Sequence, residues 1–255
     1  MAIDINAIRR KLGSLQTQNN KTSLLWKPSP GVNTIRIVPY QFNKENPFIE
    51  LYFHYDLGKK NYLSNVTFGE ADPIAEFSEK LKATGNSDDW KLARKMEPKM
   101  RTFVPIIERG KESEGVKFWG FGKQIYTELL GFIADPDYGD VTDLTGGRDI
   151  KVTFTPPEGQ EKWPKTAIMV KPNQTPATED KNIAEKVVNG QSEIYEVYRK
   201  SSYEDLKAAL QTWLNGGETE TPATSYTAPK AAAPIPSGVN KTDNISAAFD
   251  DLFND

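Results

Sequence analysis

Six short segments alternate apolar and polar positions with the period of two that a half-buried strand requires: 34–38, 48–55, 99–107, 116–121, 148–155 and 165–171. Turn formers punctuate them, among them Ser29-Pro30-Gly31, Leu57-Gly58-Lys59, Glu114-Gly115 and Gly146-Gly147. Helical periodicity is rarer. It runs over 72–83, with Ile74, Phe77 and Leu81 on one face, over 123–133, and over 202–214, with Leu206, Leu210, Trp213 and Leu214 aligned. The last begins at Ser202-Tyr203-Glu204-Asp205, a capping box with Asp for Glu, and ends at Asn215-Gly216-Gly217. It is expected to pack back on the sheet. From 218 to about 244, Pro, Ala, Thr and Ser dominate, which reads as linker. These elements predict a mainly β fold, an OB-fold Greek-key barrel with a few helices, with a β-sandwich as the competing architecture.

Composition narrows the chemistry. A chain of 255 residues with 37% hydrophobic content supports one main domain. It has no apolar run of membrane-spanning length and no secretory h-region, so the expected location is a cytoplasm. With no cysteine and one histidine, His54, neither disulfides nor thiolate metal sites can form, nor any site needing two imidazoles. The net charge of −3 hides a polarity. Residues 1–30 balance at +4, from Arg9, Arg10, Lys11, Lys21 and Lys27 against Asp4, while 218–255 balance at −4. The ending Phe249-Asp250-Asp251-Leu252-Phe253-Asn254-Asp255 reads as a tethered acidic peptide, outside any domain. A cationic head, an aromatic body and an anionic tail suit a protein whose electrostatics manage another polyanion.

Cations and rings interleave most closely between 91 and 126. In Val116-Lys117-Phe118-Trp119-Gly120-Phe121-Gly122-Lys123, strand alternation places Lys117, Trp119, Phe121 and Lys123 on one face, opposite Val116 and Phe118. Such a face suits single-stranded nucleic acid, whose bases stack on rings for ~1–3 kcal/mol each while cations track phosphates. The other reading makes Trp119 and Phe121 core residues of a curled strand with glycines at a bulge. Arg36, between Ile35 and Ile37, points away from the core face as a phosphate contact or a solvated arginine, and Trp163 is a loop indole that stacks on a base or caps the barrel. Asp135, Asp137, Asp140 and Asp143 resemble a hard-cation cluster but lack EF-hand spacing, so an acidic turn competes with metal binding.

In order and spacing, Ile35-Arg36-Ile37-Val38-Pro39, Pro47-Phe48 leading to His54, 99–107, 117–123, Asp140-Val141-Thr142 and the Asp-Asp-Leu-Phe-Asn-Asp ending resemble the replication single-stranded DNA-binding proteins of T-even-type tailed phages. The resemblance implies an OB-fold core carrying a small inserted zinc-binding subdomain, a basic arm that links neighbours along DNA, and a tail that recruits replication proteins. It divides the chain into an arm at 1–30 (Arg9, Arg10, Lys11), a core at 31–217 with an insert at about 55–95, and linker plus tail at 218–255. It places Arg36, Lys99, Phe103, Trp119 and Trp163 at DNA-contacting positions; the strand reading adds Arg101, Lys117, Phe121, Lys123 and Tyr126. Two departures matter. The family's cluster of basic residues followed by Ser/Thr is only approximated by Arg9-Arg10-Lys11 with Ser14, so chaining along DNA is less strongly implied than DNA binding. His54 matches the family's zinc-ligating histidine, but the expected Cys-Pro-x-Cys is Asp72-Pro73-Ile74-Ala75, so no zinc or other cofactor is expected, with Ile74, Phe77 and Leu81 stabilising the insert by apolar burial.

The implied function is cooperative, sequence-independent coating of single-stranded DNA in phage replication, recombination and repair, in the cytoplasm of the infected bacterial host. The implied partners are single-stranded DNA, further copies of the chain, and polymerase, helicase loader and recombination mediator through the tail, with no membrane and no catalysis. Two readings compete: a metal-dependent nuclease using 135–143, and a protein-interaction scaffold. RNA stays open as a ligand, because stacking and phosphate contacts do not read the 2′-hydroxyl.

Overall fold

A computed structural model describes residues 24–58, 60–159, 161–215 and 243–253; the arm residues Arg9, Arg10 and Lys11, and Asp255 at the other end, lie outside them. The chain forms two compact units: residues up to Ile49 together with Arg101–Val197, and Glu50–Met100 together with Tyr198 onward. Glu50–Met100, which includes the segment 55–95, thus shares its unit with the C-terminal segment.

The first unit is built on a mixed sheet. Its strands are β1 (Leu25–Trp26), β2 (Gly31–Ile37), β5 (Lys99–Glu108), β6 (Lys117–Phe121), β7 (Arg148–Thr155) and β8 (Lys165–Gln174), while β3 (Ile49–Leu57) and β4 (Lys60–Leu63) fall almost wholly in the other unit. The order is β1-β6-β5-β2-β7-β8, antiparallel except for β1 alongside β6. The path is open, and the unit is a mainly β, OB-like fold. One face carries the core: Ile35, Ile37, Val104, Ile106, Ile150, Val152, Ile168 and Val170, closed by Ile125 and Leu129 of helix α3 (Lys123–Ala134). The opposite face is closed over β5 and β6, where Phe103 and Phe118 are buried, and where Val38 and Ile107 meet Ala177 and Val187, the latter on helix α4 (Lys181–Asn189).

The second unit joins the hairpin of β3 (Ile49–Leu57) and β4 (Lys60–Leu63) to helices α1 (Pro73–Ala83), α2 (Ser87–Met96), α5 (Tyr203–Leu214) and α6 (Asp243–Phe253). Asp72 caps α1, accepting from the N–H groups of Ile74 and Ala75, and Pro73 at the first helical position has no N–H to leave unpaired. The capping box at α5 forms as the sequence predicts, between Ser202 and Asp205. Leu206 and Leu210 join Ile74, Phe77 and Leu81 of α1 and Leu57 of β3 in one buried cluster, with Tyr62 of β4 packed against it.

The C-terminal segment differs from the expectation. Residues 243–253 form an amphipathic helix, with Ile245, Ala248 and Phe249 buried in that same core and Leu252 and Phe253 half-buried at its edge. Phe249 meets Phe77 edge-on at 5.9 Å, Lys80 pairs with Asp251, and Lys207 donates to the Phe253 carbonyl at 3.2 Å. The segment read as a free acidic peptide is thus a docked helix on which Asp250 stays exposed.

Candidate nucleic-acid interface

The strand chosen from the sequence as the binding face is interior on both sides. Trp119 and Phe121 are buried in the main core, Trp119 edge-on against Trp26 at 5.7 Å and against Phe121 at 4.6 Å, while Phe118 is buried against Tyr40. Such ring pairs contribute ~0.5–1.5 kcal/mol beyond their area. The cause is β1, which adds to the outer edge of β6 in the register Trp26↔Trp119 and brings a second indole over the first. Lys117 shares a face with Trp119, as alternation requires. But it opens the strand, where its stem is half-exposed and its ammonium pairs with Glu114. The cation marks the end of the strand and says nothing of the face beyond it.

Phe103 is another correction, being wholly buried. A Cβ on Gly120 would fall 2.5 Å from the Phe103 ring and 3.2 Å from Arg101 Nε, so glycine is needed there to let those side chains cross β6; a nucleobase is not its reason. Arg101 donates to the Gly120 carbonyl at 2.8 Å and stays half-exposed; Tyr126 is half-buried on Phe48; Lys99 and Lys123 are exposed.

Arg36 does lie on the outer face of β2, but that end is closed. Its side chain has no exposure: Nε and Nη2 donate to Asp149 at 3.2 and 2.9 Å, Nη2 to Thr175 Oγ1 at 2.6 Å, and Nη1 to the Asp143 carbonyl at 3.3 Å. Arg109 and Lys171 converge on the same Asp149. Burial lowers the Arg36 pKa from its ordinary value, with the Asp149 charge opposing. Gly147 makes room, since a Cβ there would meet the Asp143 carbonyl at 2.3 Å and Arg36 Nη1 at 3.0 Å. Arg36 is therefore a structural strut, not a phosphate contact.

The uncovered half of that outer face carries a different set of residues. Register aligns Thr34, Lys151 and Met169 in one row and Val32, Thr153 and Ala167 in the next, with Thr155 opposite Lys165. Val32 is 66% exposed and Met169 59%, and Lys151 and Lys165 are exposed. Beside them, on the β7–β8 connection, Trp163 is 47% exposed, the one indole of the first unit at the surface, since Trp26 and Trp119 are buried. Among the candidates named from the sequence, Trp163 alone stands beside this surface; Lys99, Arg101 and Lys123 gather instead near the start of β5 and the end of β6. The signal for Lys151, Lys165, Met169 and Val32 was present in the alternation of β2, β7 and β8. That signal is fainter than the dense run of rings at 116–121, and a dense run of rings is where a core forms.

Zinc does not fit the residues at its family position. Nδ1 of His54 lies 2.7 Å from the Met96 carbonyl and Nε2 3.1 Å from both oxygens of Asp72, all fully enclosed. Asp72 also accepts from Ser64 Oγ at 2.6 Å and from the N–H groups of Asn65, Ile74 and Ala75. Burial opposes its ionised form, but the bond and charge of His54 and these donors outweigh burial and hold its pKa at about 2. Both imidazole nitrogens and both carboxylate oxygens are committed, and no thiolate is available. The 135–143 loop is committed as well: Asp135, Asp140 and Asp143 each accept backbone N–H bonds from their own turns. Among the described residues no three metal-binding side chains cluster, and no helix is long and apolar enough to cross a membrane.

A comparison with curated proteins finds no matching relative. A family model described as gp32 DNA binding protein like matches residues 29–214, nearly the whole β-rich body and its insert. That coverage, with the OB-like sheet, supports single-stranded DNA as the ligand, and the chain belongs to the gp32-like family of DNA-binding proteins.

Proposed function

We propose that the protein coats single-stranded DNA cooperatively and without regard to sequence, serving phage replication, recombination and repair in the cytoplasm of an infected bacterial host. What carries this reading is the uncovered outer face of β2, β7 and β8, where Lys151 and Lys165 flank exposed Val32, Met169 and Trp163 within a chain of this family. Cations neutralise phosphates, apolar and aromatic groups receive bases, and no bond is made or broken. The basic arm with Arg9, Arg10 and Lys11 links neighbouring copies. The insert folds without zinc. Polymerase, helicase loader and recombination mediator engage the C-terminal segment through Phe249, Asp250, Asp251, Leu252, Phe253 and Asp255, and must draw its helix from the seat on α1 and α5.

Titration with oligo-dT at several salt concentrations tests the core of this. Quenching of indole emission with an affinity that falls linearly on a log–log salt plot is the expected result; no binding at low salt refutes it. Deletion of residues 1–20 lowers cooperativity on long strands more than affinity for a short one. Removal of 243–255 uncovers Phe77 and Leu81, read as binding of a hydrophobic dye, and abolishes capture of replication proteins. Stoichiometric zinc in protein purified without added metal would overturn the metal-free insert.

A further inference from the structure

We infer that the seat on α1 and α5 accepts α6 from a second copy of the chain, so that copies adjacent on one strand exchange C-terminal helices; this rests on the strand-coating reading above. What α6 brings to the seat lies on one short face. Ile245, Ala248 and Phe249 are buried, and Leu252 and Phe253 pack at the edge. Its charge is of one sign, for 243–253 carries Asp243, Asp250 and Asp251 and no cation. The seat supplies the cations. Lys80 pairs with Asp251, while Lys207 donates to the Phe253 carbonyl at 3.2 Å and lies 4.9 Å from the centroid of that ring, at the helix end where the dipole is negative. At 11 residues α6 is shorter than the ~12–15 at which an isolated helix holds its shape in water, so it depends on a seat. The seat has support of its own, since Leu57, Leu92, Ala93 and Met96 share its buried cluster.

These contacts do not distinguish the chain's own helix from an identical one, which makes exchange between copies nearly free of net cost. Local concentration decides the outcome. Residues 216–242 connect α5 and Asn215 to α6, and at about 3.3–3.6 Å per residue they can reach roughly 90 Å, several times the ~30 Å diameter of a small domain. Such a tether presents the tail to its own seat at a concentration on the order of millimolar, which excludes other tails in dilute solution. Copies side by side on one strand meet each other's tails at a similar concentration. A single strand also has direction, so adjacent copies repeat head to tail. A tail-to-seat contact is heterologous in the same sense and passes from copy to copy without closing.

The absence of cysteine permits a clean test on the full chain. Lys80→Cys and Asp251→Cys, placed in separate chains, each remove one partly exposed ion pair that contributes little to folding, and circular dichroism checks that both are folded. The two are mixed, saturated on oligo-dT long enough for several copies, and treated with a short bis-maleimide. A cross-linked heterodimer is expected at about fivefold or more above the DNA-free mixture, and Phe249→Ala in the Asp251→Cys chain is expected to abolish it. A heterodimer within about twofold of the DNA-free level, with binding to oligo-dT confirmed by indole quenching, overturns the inference and leaves the DNA-binding reading standing. A chain carrying both cysteines that cross-links only internally on the same DNA assigns the seat to its own tail and overturns the inference too. So does a heterodimer that survives Phe249→Ala, since that contact bypasses the seat. Parent protein that fails to bind oligo-dT overturns both readings.

Discussion

Each unit holds one ionisable group, marked from the sequence as a functional candidate, that is fully buried against a single aspartate, and the two pairs are held in different ways. In the first unit Arg36 lies on a sheet face sealed by the 141–149 and 175–177 segments, and Asp149 gathers two further cations around it. In the second His54 is enclosed at the mouth of a helix, where Asp72 serves as N-cap and as the imidazole's partner. A guanidinium keeps its charge throughout the ordinary pH range, whereas histidine also has an ordinary neutral form. The first strut is therefore the less forgiving of the two.

Breaking the partner of each separates them. Asp149→Ala leaves Arg36 charged and enclosed, and is expected to cost about 3–5 kcal/mol of the first unit's stability, measured by urea denaturation. Asp72→Ala deletes the helix cap and the hydrogen-bond partner of His54 together, and the second unit is expected to lose about 2–3 kcal/mol in the same assay. A larger loss at Asp72 than at Asp149 would reverse the comparison.

Acid sharpens it. Asp72 titrates at about 2 in the folded chain against an ordinary 3.8, so its contribution is complete above pH 4 and disappears as pH falls toward 2. About 2 kcal/mol is expected to be lost across that window, and Asp72→Asn abolishes that part of the acid sensitivity. The smallest effects on stability belong to the surface. Lys151→Ala and Lys165→Ala are each expected to shift stability by under about 0.5 kcal/mol while reducing the salt slope of oligo-dT binding by about one. Equal salt slopes in parent and variants would remove the outer sheet face from the interface.

The local rules that succeeded were those whose cause is short in range. Asp72 and Ser202 sit at helix starts because their side chains satisfy amides two or three residues on, and all six predicted strands appear at their places. The rules that failed concerned which face meets water. Alternation correctly set Arg36 opposite Ile35 and Lys117 alongside Trp119, but burial depended on distant segments: Trp26 arriving beside β6, Thr175 and Asp149 closing over Arg36. Helix α6 is legible in the spacing of Ile245, Ala248, Phe249 and Leu252, although the acidic composition of the tail suggests a solvated peptide.

Period, caps, the missing cysteines and the family signature were set by the order of residues, because backbone geometry and ligand chemistry act within a few positions or on residue type alone. Exposure belongs to the folded chain, since a ring or a cation becomes core or surface only when another segment covers it or leaves it open. Trp119 and Trp90 carry the same side chain; β1 and α3 enclose the first, and nothing among the described residues covers the second as fully.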